Sequence, residues 1–282
     1  MPFDFQVVAS KLMKMGIADR WFPIFLDPFV HNKCLNKNKI NYRKKVASRV
    51  LASANKIFMT YGIMAENLNQ GYDPDYHKKV IEIHLPNLID RKLPNNVNKD
   101  SNEVIATYAG LFYSDIRRPN EMLDILSKFP KEFTIQIFGV GCENTLKEKK
   151  SLFTESKLEI KGRIPFQECL NELSKSNILI NLGNKITNQM PSKVFEYISF
   201  GKPILNFYNT TEDPSLKYFK DYPLCYSINV NHYNEDDINN AIKFCLQNKN
   251  KQLTFKESTQ NLEYCVADNV GKLIFEQMKT DE

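Results

Sequence analysis

The stretch "NQMPSKVFEYISFGKP", residues 188–203, sets Lys193 and Glu196 in the first turn of an expected helix. The positive end of a helix dipole lies at its N-terminus, so a lysine there calls for a compensating anion. Pro191 suits the first helical position, and Ser192 is the N-cap if the helix starts one residue later. Gly201 and Pro203 end the helix as a left-handed cap and a stop. Lys193 and Glu196 are three apart and share a face, while Val194, Phe195 and Ile198 fall on the core side. Two chemistries fit this spacing. One is a surface ion pair worth about 0.3 kcal/mol. The other has Lys193 meeting a phosphate while Glu196 accepts bonds from ribose hydroxyls, as a carboxylate does in dinucleotide folds.

A second cationic helix start lies in "YAGLFYSDIRRPNEML", residues 108–123. Gly110 ends a strand, and Arg117 and Arg118 precede Pro119. Helix starts flanked by Arg or Lys bind phosphate groups, and two at one sheet edge suit a bridging diphosphate. Two further loops face the same edge. "FGVGCEN" holds Gly139 and Gly141, which serve either a tight turn or a close backbone approach to a ligand. In "KGRIP", Gly162, Arg163 and Ile164 either line a base pocket or form a turn before a proline-started helix.

These loops are positioned by a regular alternation of elements. From about residue 104, buried strand patterns ("EVIATYAG", "FTIQIFGV", "KLEIKG", "NILINLG", "PILNFY", "PLCYSINV") alternate with helical ones. That order predicts a parallel, doubly wound Rossmann-like sheet, which binds ligands at the carboxyl ends of its strands. The first hundred residues are also α/β: "WFPIFL", "KIFMTY" and "KVIEIHLP" read as strands, "YRKKVASRVLASA" and "GIMAENLNQGY" as helices. "DRKLPNNVNKDSN" reads as a linker. The expected organisation is a partial N-terminal α/β domain over 1–98, a Rossmann-like domain over 99–255, and a helical tail over 256–282 packing back across the boundary.

Bulk properties narrow the class. The chain has 282 residues, 42% hydrophobic and 25% charged, which suits a globular protein with a packed core. No apolar run approaches the roughly 18 residues of a membrane span, and there is no signal-peptide pattern. The six cysteines show no C-x-x-C pair and the four histidines are dispersed, so neither a disulfide framework nor a metal site is expected. Reduced thiols suit a cytoplasmic chain. The net charge is +5 but uneven. No acid occurs between Asp27 and Glu66, while Lys33, Lys37, Lys39, Arg43, Lys44, Lys45 and Arg49 crowd residues 33–49. This segment reads as a solvated face or as a surface for anionic lipid. Nucleic acid is not expected as a partner, because no binding motif is present and aromatics are not interleaved with the basic run.

The residues "YAGLFYSDIRRP", "IFGVG", "IKGRI" and above all "ILINLGNKITNQMPSKVFEYISFGKPI" resemble the nucleotide-sugar domain of the GT-B glycosyltransferases. The likeness is to the retaining group 1 family (family four), within it to enzymes of bacterial capsular and exopolysaccharide synthesis. "WFPIFLDPF" and "KIFMTYGIMAENL" resemble the end of that family's N-terminal domain more loosely, and the family's opening strand, Gly-rich loop and first helices find no counterpart.

The resemblance implies a transferase moving a sugar from a nucleotide diphosphate donor, UDP by default, to a saccharide or lipid-linked saccharide at the inner membrane face. It implies that Lys193 and Arg117 or Arg118 hold the diphosphate, that Glu196 holds the ribose, and that neither metal nor other cofactor is needed. Asn184, Asn188, Gln189 and Ser192 would touch sugar or phosphate, with Asn188 standing where relatives often carry a glutamate. Asp27 either faces the donor sugar or forms an Asp-Pro turn. The alternatives are an inactive donor-binding module and a GT-B-fold sugar-nucleotide epimerase.

Overall fold

The computed structural model describes residues 4–30, 37–60, 78–92 and 102–280. The helix expected over 62–72, most of the linker, Lys33 and Cys34 lie outside them. The chain forms two compact units. One comprises Met1–Asn87, Ile186–Met190 and Glu263–Glu282; the other comprises Leu88–Lys185 and Pro191–Leu262.

The first unit holds α1 (Asp4–Lys14), β1 (Ile24–Phe25), α2 (Ile40–Leu51), β2 (Ile57–Thr60) and β3 (Val80–Ile83). The strands form a parallel sheet in the order β1-β2-β3, with Ile24 opposite Phe58 and Ile57 opposite Val80. The six-residue strand expected from "WFPIFL" shrinks to Ile24–Phe25. Prolines at 23 and 28 flank it, and a residue without an N–H cannot extend a ladder. Ala47, Val50 and Leu51 of α2 pack on Phe25, Ile57 and Met59. The helix α1 has no counterpart in the sequence reading; it turns Gln6 and Ser10 inward, and Ser10 Oγ meets Ser53 Oγ at 3.0 Å.

The second unit runs β4 (Val104–Ala109), α3 (Asn120–Leu126), β5 (Phe133–Phe138), α4 (Glu143–Lys150), β6 (Lys157–Ile160), α5 (Phe166–Lys175), β7 (Ile178–Leu182) and α6 (Lys193–Ser199). It continues through β8 (Ile204–Tyr208), α7 (Ser215–Asp221), β9 (Cys225–Asn229), α8 (Glu235–Asn248) and α9 (Phe255–Thr259). All six strands are parallel, in the order β6-β5-β4-β7-β8-β9, which is the doubly wound sheet the alternation predicted. Every residue of β7 is buried, as expected of a strand covered on both faces. The helix α7, unread in the sequence, buries Tyr218 edge-on to Phe195 of α6, with centroids 4.8 Å apart. The expected tail helix breaks at the buried Leu262 and Cys265. Its last segment, α10 (Ala267–Lys279), belongs to the first unit, where Val270 packs on Phe58 and Ile83.

Gly201 ends α6 at φ +66°, and the next residue carries an unread feature. Lys202 is fully buried, and its ammonium donates to the carbonyls of Ser174 (2.6 Å) and Ser176 (2.5 Å) at the C-terminus of α5. Those carbonyls favour a cation. Loss of hydration opposes it and pulls the Lys202 pKa from 10.5 down to about 7. Between these values the unfolded chain holds a proton that the folded chain does not, so stability rises with pH. Acting alone, Lys202 contributes on the order of 5 kcal/mol across that window. The urea midpoint should therefore climb from about pH 7 to about pH 10, and Lys202→Met should flatten that climb.

Candidate functional site

The strand order reverses between β4 and β7. In such sheets ligands bind in the crevice beyond the carboxyl ends of the two strands at the reversal. The segments leaving those ends are Gly110 to Arg118 and Gly183 to Lys185, and they are tied together. Lys185 N donates to Ile116 O at 2.7 Å. Arg117 donates through Nε (2.9 Å) and Nη2 (2.7 Å) to Asn184 Oδ1. Backbone bonds between Tyr113 and Arg117, 3.1 and 3.0 Å long, narrow the first loop behind this contact. Arg118 is exposed and donates instead to the Ser114 carbonyl. The structure thus separates the arginine pair: Arg117 enters the crevice edge and Arg118 lies on its outer surface. Tyr108 sits buried nearby; loss of water pushes its phenol up to about 12, and the Arg117 guanidinium pulls the other way.

Asp213 completes this edge and was missed in the sequence. It is buried, and its Oδ1 accepts from Ser215 N (2.9 Å) and Ser215 Oγ (2.6 Å). Its Oδ2 is buried and has no hydrogen-bond partner among the described residues. Gly183 makes room for that oxygen, since a Cβ there would lie 1.9 Å from it. Burial raises the Asp213 pKa, while the Ser215 bonds and the Arg117 charge lower it. The available signal was an Asp-x-Ser turn opening a helix directly after a strand of the sheet, in "TEDPSL".

The helix α6 is fastened to the end of β4. Ala109 N donates to Tyr197 Oη at 3.0 Å, and that hydroxyl donates to Ala109 O at 3.2 Å. Lys193 Nζ lies 2.5 Å from Glu196 Oε1, so Glu196 is the anion that answers the lysine here. Both are shielded, with side chains 25% and 11% exposed, so the pair is not the fully solvated one of the simpler reading. Glu196, Tyr197 and Phe200 are buried along with Val194, Phe195 and Ile198, so α6 is covered nearly all round rather than on one side. The Ser192 side chain caps nothing, and the helix begins at Lys193. Both α3 and α6 have only seven residues, which leaves side chains rather than helix dipoles to supply charge.

The other expected residues are spread more widely. Gly110 follows Ala109, and Gly139 packs on it so closely that a Cβ would lie 1.9 Å from Gly110 O. Gly141, at φ +97°, likewise abuts Phe112 O. Both glycines therefore have a packing reason to be glycine. Arg163 is exposed and Ile164 half-buried in the turn after β6, at the sheet's outer strand. Asn188 is buried, and Gln189 Nε2 donates to Asp27 Oδ1 at 3.0 Å within the first unit.

No protein-family model matches this chain, and no curated protein matches its sequence. Solved structures do match. The chain is similar to HepE of Anabaena in complex with UDP and glucose, with a TM-score of 0.66 at 12% identity, over 96% of this chain and 76% of that one. It is similar to the lipopolysaccharide outer core galactosyltransferase WaaB, with a TM-score of 0.65 at 14% identity, over 98% and 80%. It is also similar to the pneumococcal O-GlcNAc transferase GtfA in complex with UDP and GlcNAc, with a TM-score of 0.58 at 12% identity, over 96% and 55%. The chain has the GT-B fold.

The contact between Gly183 and Asp213 can be tested on its own. Gly183→Ala should lower stability by about 1–3 kcal/mol through overpacking. In an Asp213→Ala background the same change should cost clearly less, since the obstructing oxygen is gone. Urea unfolding of the four proteins measures the coupling, and strict additivity would show that the two residues do not press on each other.

Proposed function

We propose that this chain is a glycosyltransferase that takes a sugar from a nucleotide diphosphate donor, UDP by default. The acceptor is a saccharide or a lipid-linked saccharide, and the setting is cell-surface polysaccharide synthesis. The observation that carries the reading is the cationic edge at the strand reversal, where Arg117 is held by Asn184 and Lys193 by Glu196 on a helix bonded to the end of β4. Similar folds that hold UDP support the choice of donor. The group 1 likeness read in "PSKVFEY" supports it too.

In this reaction the bond between the anomeric carbon and the diphosphate oxygen breaks, and its electron pair leaves with the diphosphate. Lys193 and Arg117 stabilise that charge, in the way preorganised cations stabilise a departing phosphate. Glu196, released from part of its pairing with Lys193, accepts bonds from the ribose diol. The acceptor hydroxyl forms the new bond to the anomeric carbon and passes its proton to an oxygen of the departing diphosphate. Retention of configuration, independence from metal and freedom from any other cofactor follow from the family resemblance. Arg118, directed to the Ser114 carbonyl, is left as a secondary contact. Asn184 and Ser192, in the same unit, are assigned to the donor's sugar or phosphate, as the resemblance implies.

Nucleotide binding tests this reading. UDP at a hundredfold excess over its Kd should stabilise the folded chain by about 2.7 kcal/mol, read as a thermal shift. Lys193→Ala and Arg117→Ala should each weaken UDP binding by about tenfold or more, because each removes a charge-assisted bond to phosphate. A folded sample that shifts with neither UDP, GDP nor ADP would overturn the assignment. If UDP binds, Lys193→Ala should also lower transfer by roughly a hundredfold.

A further inference from the structure

Lys193, Lys185 and Arg117 border the strand reversal, and each has a carboxylate near it. Lys193 lies against Glu196, and Lys185 Nζ lies 3.7 Å from Glu121 Oε1 at the start of α3. Arg117 differs, because its two bonds go to the neutral amide oxygen of Asn184. The carboxylate in its field is Asp213. Asp213 Oδ2 lies against Gly183, the residue joined to Asn184, and it bonds to no described residue. Asn184 therefore sets the direction of the guanidinium, and Asp213 adds only charge. The three carboxylates also differ in freedom. The Glu121 side chain is 35% exposed and can turn to water, and Glu196 has the ribose diol to turn to. Asp213 has no such route: it is buried, Ser215 donates to it twice, and Gly183 closes its other side.

We infer that Asp213 is a fixed negative charge that limits how tightly this edge holds a diphosphate, and so keeps the nucleotide product free to leave. The inference rests on the edge being the diphosphate site. An incoming diphosphate meets cations whose charge is already matched by carboxylates. Glu121 and Glu196 can yield to it, and Asp213 cannot. Its repulsion therefore persists in the bound state, and the low effective dielectric near a protein interior lets a like charge act over several ångströms. Folding does not ask for this charge, since a buried carboxylate with a bare oxygen is destabilising. Release of product limits turnover in many enzymes, so a ceiling on affinity serves rate. Asp213 is not a catalytic residue: it acts on the ligand through charge, without touching it.

The full chain is titrated with UDP by calorimetry at about pH 8, well above the ordinary carboxylate range. Asp213→Asn keeps the size of the side chain and an oxygen for Ser215. It should lower the Kd for UDP by about fivefold or more, mainly by slowing dissociation in a stopped-flow chase. Asp213→Ala removes the same charge and should act in the same direction, which keeps the test open if the asparagine variant fails to fold. Uridine, which carries no phosphate, should bind both variants as it binds the wild type, read from the NMR line widths of its ring protons. A structural defect would weaken UDP and uridine together. A folded variant with an unchanged or higher Kd for UDP overturns the inference, as does an equal gain for uridine. A wild-type chain that binds no UDP overturns the diphosphate reading as well, so the two failures are told apart.

Discussion

The hydroxyl of Tyr197 is the contact on which the candidate site rests. The ladder between β4 and β7 pairs Ala106 through Tyr108 with Ile178 through Ile180, and then stops. Ala109 still has an N–H and a carbonyl aimed at that side, buried where no water can serve them. Tyr197 answers both with one oxygen. At the other end of the same ladder, Asn177 does the equivalent for Ile105, donating through its backbone and accepting through its side chain at 2.8 Å. The two central strands are therefore finished by side chains at both ends. An unmet buried amide costs about 1–3 kcal/mol, so this arrangement fixes the rotation of α6 about its axis. Lys193 and Glu196 are carried by that same helix.

Charge at the edge is handled by pairing and by burial. Arg117 spends two of its donors on one amide oxygen, and Lys193 lies against a carboxylate three residues on. Asp213 keeps one oxygen satisfied by Ser215 and the other bare, within the field of Arg117. A bare buried carboxylate oxygen is costly, and it persists because Ser215 and the absent Cβ of Gly183 hold it in place. The edge is thus assembled before any ligand arrives, at some expense to the stability of the second unit.

Much of the second unit was legible in the sequence. Its strands are short apolar runs bounded by turns, buried on both faces, and that pattern has few other readings. Their alternation with helices fixed the parallel topology. The lysine and glutamate of α6 were legible through spacing alone. The remainder escaped for physical reasons. Tyr197 reads as a polar-side residue until its hydroxyl is seen to close a ladder 88 residues away in the chain. Asp213 sits in a stretch whose composition says only turn. Lys202 follows a helix cap and carries no mark of its burial. The helix α1 has regular spacing, but periodicity cannot say that it turns Gln6 and Ser10 inward beside Val7 and leaves Phe5 and Val8 exposed.

An inward face of Gln6, Val7 and Ser10 and an outward stripe of Phe5, Val8 and Leu12 separate what keeps α1 folded from what it shows to its surroundings. Phe5 and Val8 add less to the native state than a core residue does, because more than half of each stays in water in the folded chain. A selection that scores only expression level or heat resistance would treat these positions as free to vary, and would erase the stripe without registering a loss. Gln6 and Ser10, whose residue types suggest surface, would instead emerge as the intolerant positions of the helix.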